Sequence, residues 1–521
     1  MRNLCAAFCA ALCISVGMSH WAAAQDVTLT SRDGSVEING TLLGFDGEFY
    51  RVDTIYGELT VDGSGVSCVG PGCPSLQDYV AEVVVSGSAT MGAVLLPALV
   101  DGFARTNGWD VVKRESDESS EALFILRDGA TGQDQARFTF RSRTSDEGFA
   151  DLLANEADIV MSLREIRPQE RDRAKDAGMG DLTGPHRSRV LALDALVPVV
   201  SPSNPVSGLS PTQLAAVLSG EISNWQDLGG VNAPISVHIL SKKTGLAQAV
   251  QDQVLSVIGA RLRADVVEHD TGTEAAKAVQ RDPFALAIVS YSDVGTTKQL
   301  TLTGSCGFSL AATRQTIKTE DYPLTAPMFL YLPARRLPKV VRDFLVFTRG
   351  QAAQVMIRRA GFVDQAQEAI GVAVQGTRFA NAIRQSGSEV TLEDLQRLVS
   401  TLYDLKRLST TFRFETGSTR LDAQSRSNVQ QLAQALELGR FDGRRLLFVG
   451  FSDGEGPAAG NQRIAMRRAE TVRAAVQSAA ETANMDRLAL EVDAFGEAMP
   501  MACDDSAWGR QVNRRVEVWV D

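Results

Sequence analysis

A positive residue and an unbroken apolar run open the chain. Arg2 precedes the run at 4–16, and Ala22-Ala23-Ala24 places small residues before Gln25. This is the pattern of a cleaved export leader over residues 1–24, since the run is too short to span a bilayer. The hydrophobic period then changes. Val27-Thr28-Leu29-Thr30, Val36-Glu37-Ile38 and Tyr50-Arg51-Val52 alternate apolar with polar positions. Asp33-Gly34, Asp46-Gly47, Tyr56-Gly57 and Asp62-Gly63 break them at hairpin intervals. Residues 26–75 therefore read as a small β-rich module.

From 80 to 363 the pattern is α/β. Short β-rich runs at 82–85, 196–200, 235–240 and 285–291 alternate with helical stretches at 91–105, 211–218 and 339–360. That alternation calls for a buried sheet covered by helices, and about 280 residues suit two lobes better than one. Residues 364–407 are polar and helix-prone, with Val390-Thr391-Leu392-Glu393-Asp394-Leu395 as a capped helix start, and read as a helical connector. A last α/β unit occupies 408–521.

Composition narrows the function classes. A net charge of −11 argues against nucleic acid, which needs a basic face. Three of the seven cysteines lie in the leader. Crowding by Phe8 and Leu12 ahead of Cys9 and Cys13 spoils a lipobox, so the mature chain is expected to be soluble. Cys68, Cys73, Cys306 and Cys503 remain, an even number that suits disulfides in an oxidising compartment. Cys68 and Cys73 bracket a turn-rich loop and are expected to pair. Cys306 with Cys503 is the remaining option, and it would join two domains. No cofactor or metal is expected, because no histidine has ligand spacing to these cysteines. Catalysis is not expected either: His186, His238 and His269 form no triad or metal motif, and no Gly-x-Ser-x-Gly elbow is present.

Two segments carry binding chemistry. In the last unit, Ile464, Ala465, Val472, Ala475 and Val476 form an apolar stripe at helical spacing, and Arg468 falls inside it. A buried guanidinium needs a carboxylate from the protein or from a ligand. Asp453 follows a strand, where loops gather ligand-binding groups. In the middle unit, Val85-Ser86-Gly87-Ser88-Ala89-Thr90 runs from a strand into a helix near Met91, and its backbone N–H groups make an anion cradle. Small residues at a helix start also serve simply as caps.

The last unit resembles the C-terminal domain of the OmpA family along its whole length. The likeness rests on the strand at 411–414, the helix opened by Asp422, the strand at 446–451 with Ser452-Asp453-Gly454, and the helix from Asn461. Ala494-Phe495-Gly496-Glu497 with Pro500, and Gln511-Val512-Asn513-Arg514-Arg515-Val516-Glu517-Val518, complete it. Phe451-Ser452-Asp453 replaces the family's usual His-Thr-Asp, and Ile464-Ala465 its Leu-Ser. The resemblance implies peptidoglycan as a partner, with Asp453 and Arg468 gripping the diaminopimelate side chain and Asn461 shaping the pocket. Arg514 and Arg515 are expected to serve packing.

Residues 80–363 resemble the PstS-like phosphate-binding proteins of ABC import systems. The segments are Asp158-Ile159-Val160-Met161-Ser162-Leu163-Arg164, Ser203-Asn204-Pro205-Val206-Ser207-Gly208-Leu209, Leu218 through Gly230, Tyr322-Pro323-Leu324 and 340–347. This implies a two-lobed type II periplasmic-binding-protein fold with a hinge, a small oxyanion such as phosphate as ligand, and an ABC permease as a possible partner. Carried over by position, the anion would touch Ser88, Thr90, Met91, Ser145, Ser162, Thr244 and Gly245. Leu240-Ser241-Lys242-Lys243-Thr244-Gly245-Leu246 departs from the family's Arg-Asp-x-x-Ser-Gly-Thr, losing the clamping arginine, its acidic neighbour and a hydroxyl. Leu163 stands where some relatives carry a proton-accepting aspartate. Lys242 or Lys243 could restore charge, but not a fork. Two functions follow. The first is a periplasmic solute-binding protein held on the cell wall, near the outer membrane. The second is a structural envelope protein whose binding fold is a degenerate scaffold or docking module.

Overall fold

The computed structural model describes residues 26–75, 79–115, 120–242, 244–385, 387–415 and 417–521. The export leader expected at 1–24 lies outside the described residues. Two compact units result, one ending at Tyr79 and the other running from Val80 to Asp521.

The first unit is a five-stranded antiparallel sheet. Its order is Gly57–Asp62, Phe49–Thr54, Glu37–Phe45, Asp26–Ser31 and Val66–Val69. The alternating positions Val27, Leu29, Tyr50 and Val52 form its core. Cys68 and Cys73 are disulfide-bonded, their Cα atoms 5.8 Å apart.

The second unit begins with an eleven-stranded sheet shared by two lobes. One strand, Ser188–Val200, crosses between them. Its first half pairs with Thr325–Tyr331 and its second half with Ala285–Ser290. In the first lobe Ala81–Ser88 lies parallel to both Ile159–Ser162 and Asp134–Arg143. In the second lobe Ser236–Leu240 lies parallel to Ala285–Ser290. Ile159–Ser162, Ser236–Leu240 and Ala285–Ser290, buried on both faces, read as near-continuous apolar runs, whereas Asp134–Arg143 alternates. Gly87, at φ +129°, lies so close to the neighbouring strand that a Cβ would stand 2.0 Å from the Met161 carbonyl oxygen. The helix expected over 339–360 is two helices, Lys339–Phe347 and Gln351–Arg359. Thr348 caps the end of the first, and Gly350, with extended ψ, caps the start of the second.

The last sheet orders Ala369–Ile370, Lys406–Arg413, Arg515–Val520, Arg445–Phe451 and Ala489–Ala494. Period-two alternation decides which side chains go where. Leu446, Phe448, Val516 and Val518 face the helices Ala423–Glu437 and Ala458–Ala479. Leu447, Val449, Phe451 and Trp519 face the other way, onto Ala382, Leu398 and Leu402. Residues 364–407 thus contribute an edge strand and two helices, Gly376–Gln385 and Leu392–Leu402, that cover the sheet's second face.

This sheet is docked onto the two lobes by buried polar contacts. Arg407, 1% exposed, forks onto Asp321 at 2.7 and 2.9 Å. Asn428 donates to Glu320 at 3.0 Å, the Ala423 amide to Glu165 at 2.6 Å, and the Trp508 indole to the Gln253 carbonyl at 2.8 Å. A Cys306–Cys503 disulfide joins the same two parts, with Cα atoms 5.7 Å apart.

Candidate functional site

Two sets of side chains were expected to bind ligands, and the fold places both at strand–helix junctions. The first lies on the last sheet. Buried positions on Ala458–Ala479 are Asn461, Ala465, Arg468, Ala469, Val472 and Val476, one stripe at helical spacing. Arg468 is 3% exposed, lies 5.1 Å over the Phe414 ring, and its Nε is buried without a hydrogen-bond partner. Burial, and then the charge of Arg514, push its guanidinium down, while Asp453 opposes them. Among the described residues no carboxylate is hydrogen-bonded to it.

Asp453 follows the strand Arg445–Phe451 and is nearly buried, at 9% exposure. Its carboxylate accepts from Arg514 at 2.6 Å. Asn461 donates to Glu497 at 2.6 Å. The Ser452 hydroxyl is buried without a partner. The backbone N–H of Gly454 is held by Asp504, whose carboxyl burial raises. Asp453 and Arg514 are thus ion-paired and both act electrostatically on Arg468, while Asn461 is bonded to Glu497 and Gly454 to Asp504. Of these, Arg514 was visible in its motif but assigned to packing. Arg515, its neighbour, does serve packing: it is fully buried and donates to Glu517 at 2.7 Å. An acidic and a basic group this near each other suit a zwitterion with separated ammonium and carboxylate groups.

The second set lies between the lobes. Ser88 ends the strand Ala81–Ser88; its hydroxyl is fully buried and has no partner. A Cβ at Gly245 would meet that hydroxyl at 3.1 Å and Leu163 Cδ1 at 3.4 Å, so the second lobe's helix start rests directly on the first lobe. Met91 is buried just beyond, and Thr90 is half-buried with no cap bond.

The remaining donors are engaged within the protein. The Ser145 hydroxyl accepts from the Leu163 amide at 3.2 Å, and the Ser145 amide donates to Gln248 at 3.1 Å. Ser162 bonds the Arg164 carbonyl at 2.8 Å. Thr244 caps its own helix, accepting from the Ala247 amide at 3.3 Å. Across the lobes Arg167 pairs with Asp252 at 3.3 Å. Lys242 is exposed, and Lys243 lies outside the described residues. Leu163 and Gln248, which the sequence did not single out for packing, fill and bridge the cleft.

Among the described residues no three His, Cys, Asp or Glu side chains gather as a metal site. His238 and His269 hydrogen-bond each other at 2.8 Å.

Comparisons with known proteins match two separate parts of the chain. A family model described as the PBP superfamily domain matches residues 74–348, and one described as the OmpA family matches 413–514. Protein SphX of Synechococcus elongatus is 26% identical over 267 residues, 48% of this chain and 76% of that protein. The phosphate-binding protein PstS of Borreliella burgdorferi is 21% identical over 232 residues, 44% of this chain and 79% of that protein. Among solved structures, an ABC-type phosphate transport receptor from Vibrio cholerae aligns with a TM-score of 0.42 at 18% identity, covering 54% of this chain and 99% of that one.

Proposed function

The chain belongs to the PBP superfamily, and from that premise we propose that it is a periplasmic solute-binding protein for phosphate or a related oxyanion, held on peptidoglycan by its OmpA-family domain. The Borreliella burgdorferi relative is a phosphate-binding protein, and neither matched family is enzymatic. The observation that carries the wall-binding half is Arg468. A buried guanidinium with no protein carboxylate bonded to it is costly, and a carboxylate-bearing ligand would complete it. Diaminopimelate fits the set. Its carboxylate would fork onto Arg468, its ammonium would sit against Asp453, and Arg514 would hold Asp453 in place.

Pull-down on purified sacculi tests this. Arg468→Ala or Asp453→Ala should each lower the bound fraction several-fold or more, because truncating one partner of a buried charged pair costs about 2–5 kcal/mol. Arg514→Ala should weaken binding less, since it acts through Asp453. Folded variants that sediment like the unaltered protein would overturn the assignment, with circular dichroism as the check on folding.

A second reading concerns the cleft. Its hydroxyls at Ser145, Ser162 and Thr244 are already bonded within the protein, and Leu163 stands among them. This favours a binding fold retained as a docking module, with only the wall site active. Thermal-shift titration with phosphate and sulfate separates the readings, because an anion that binds the folded state raises its stability by mass action. The solute-binding reading expects a rise in Tm with millimolar phosphate, reduced in Ser88→Ala. No rise with either anion selects the docking module.

A further inference from the structure

A cavity of about 550 Å³, within the roughly 300–1,000 Å³ typical of ligand pockets, lies apart from both sites. Three parts of the chain wall it. The binding domain brings the start of the strand Ser188–Val200 and the break between Lys339–Phe347 and Gln351–Arg359. The connector adds Gln365 and Gln367, and the OmpA-family domain adds one face of Ala423–Glu437. On that helix Ser427, Gln430, Gln431 and Gln434 follow one another at helical spacing and all line the cavity.

The wall is unlike the rest of this acidic protein. Arg189, Arg349, Arg440 and His186 line it, and among the described residues no Asp or Glu does. Arg189 is half-buried. Its Nη1 reaches the Leu345 carbonyl and Thr348, and among the described residues its Nε is buried without a partner and no carboxylate is bonded to it. Burial, with Arg349's charge adding, pushes its guanidinium down to about 9, so it stays charged at neutral pH. Arg349 and Arg440 are exposed side chains with no ion pair among the described residues. His186 holds a left-handed φ of 61°, uncommon away from glycine and enriched where a site imposes it. Burial first, then Arg349, Arg189 and Arg187, lower its pKa against the opposing charge of Glu481.

Seven glutamines complete the lining. Gln354 and Gln365 are tied into the frame: Gln354 accepts from the Gln365 amide at 2.7 Å and donates to the Thr348 carbonyl at 3.0 Å. Gln367 is different. Both its Oε1 and its Nε2 are buried with no partner, an arrangement that protein interiors rarely leave unfilled. Amides that can donate and accept complement hydroxyl groups, which do the same. Among the described residues no Phe, Tyr or Trp lines the cavity, which gives a planar base no aromatic face to stack on.

We infer that this cavity is a second ligand site, taking a small, hydroxyl-rich anion: a sugar acid or a sugar phosphate. The arginines supply the charge complement and the glutamines read the hydroxyls. A ligand seated there touches the binding domain and the OmpA-family domain at once, so it fastens the two together.

Calorimetry and thermal shift on the full mature chain test this with D-glucuronate, glucose 6-phosphate, glucose and inorganic phosphate. A carboxylate or phosphate sugar should bind and raise Tm, and neutral glucose should not. The two sugar anions distinguish which head group the site prefers. Arg349→Ala combined with Arg440→Ala should weaken that binding at least tenfold. Both side chains are exposed, so circular dichroism and sacculus pull-down should stay as in the unaltered protein. The double lysine variant should keep most of the affinity. Asp453→Ala and Ser88→Ala should leave it unchanged, which separates this site from the wall pocket and the cleft. No binding of either sugar anion at millimolar concentration, binding of inorganic phosphate alone, equal binding of glucose, or indifference to the double alanine variant would each overturn the assignment.

Discussion

Individual buried charges set how this molecule responds to pH. Glu320 is 8% exposed, accepts from Asn428 at 3.0 Å, and lies among Arg413, Asp321 and Asp422. Burial pushes its carboxyl up to about 8, although Arg413 opposes the shift. Glu165, which receives the Ala423 amide, is pushed up to about 7 by burial and then by Asp422. An unfolded glutamate titrates near 4.5. Above that pH the unfolded chain has released protons that the folded protein still holds, so stability falls as pH rises. The decline runs from about 4.5 to about 8 for Glu320 and to about 7 for Glu165, at up to about 1.4 kcal/mol per pH unit for each proton. Asp321 has the opposite sign: burial works against ionisation, but Arg407 prevails and lowers its pKa, so its contribution is lost only as pH falls below the ordinary aspartate range. Glu320→Gln keeps an acceptor for Asn428 and removes the proton, so its Tm should fall less between pH 5 and pH 8 than that of the unaltered protein. Parallel Tm profiles would show that Glu320 does not titrate in this window.

At the scale of elements, alternation and backbone approach do most of the sorting. Along Arg515–Val520 the even positions Val516, Val518 and Val520 enter one core, while Arg515, Glu517 and Trp519 enter the opposite layer. There Glu517 gathers Arg515 at 2.7 Å, Trp519 at 3.1 Å and Arg407 at 3.4 Å, and Arg378 also pairs with it. Three guanidinium groups around one carboxylate hold that carboxylate far below its usual range. The same logic explains the glycine at 450. A Cβ there would stand 2.0 Å from the Ala465 carbonyl oxygen, so the helix carrying Arg468 can lie directly on the strand leading to Asp453 only because no side chain intervenes. The periodic apolar pattern over 339–360 reads as one helix, yet Gly350 divides it, and Arg349 at the break faces the basic cavity.

In the whole molecule, one covalent link ties the last sheet to the two-lobed domain. Cys306 and Cys503 are 197 residues apart, and closing so long a loop in the unfolded chain is worth up to about 5 kcal/mol by chain entropy, with about 2–4 kcal/mol typical in practice. Replacing both with serine should lower Tm and the denaturant midpoint accordingly, leaving the Cys68–Cys73 link intact. An unchanged midpoint would show that the buried Arg407–Asp321 contact and its neighbours hold the parts together without it.

The β-rich first module, the α/β alternation and the OmpA-like motif order were legible along the chain, and Asp453, Asn461 and Arg468 were singled out there as one candidate set. Each is a local matter of period, turn residues or motif spacing, and neighbouring residues decide such features. What the tertiary structure alone decided are contacts between residues far apart in sequence. Arg514 holds Asp453 from 61 positions away, and Cys306 finds Cys503. The Ser145 and Ser162 hydroxyls of the cleft are taken up by the Leu163 amide and the Arg164 carbonyl, and Gln248 accepts from the Ser145 backbone amide. A cavity lined by no carboxylate among the described residues forms where a glutamine stripe on one helix meets Arg189 and Arg349. No period announces such meetings, because a side chain's partner is set by how whole layers dock, and the chain between the two partners carries no trace of it.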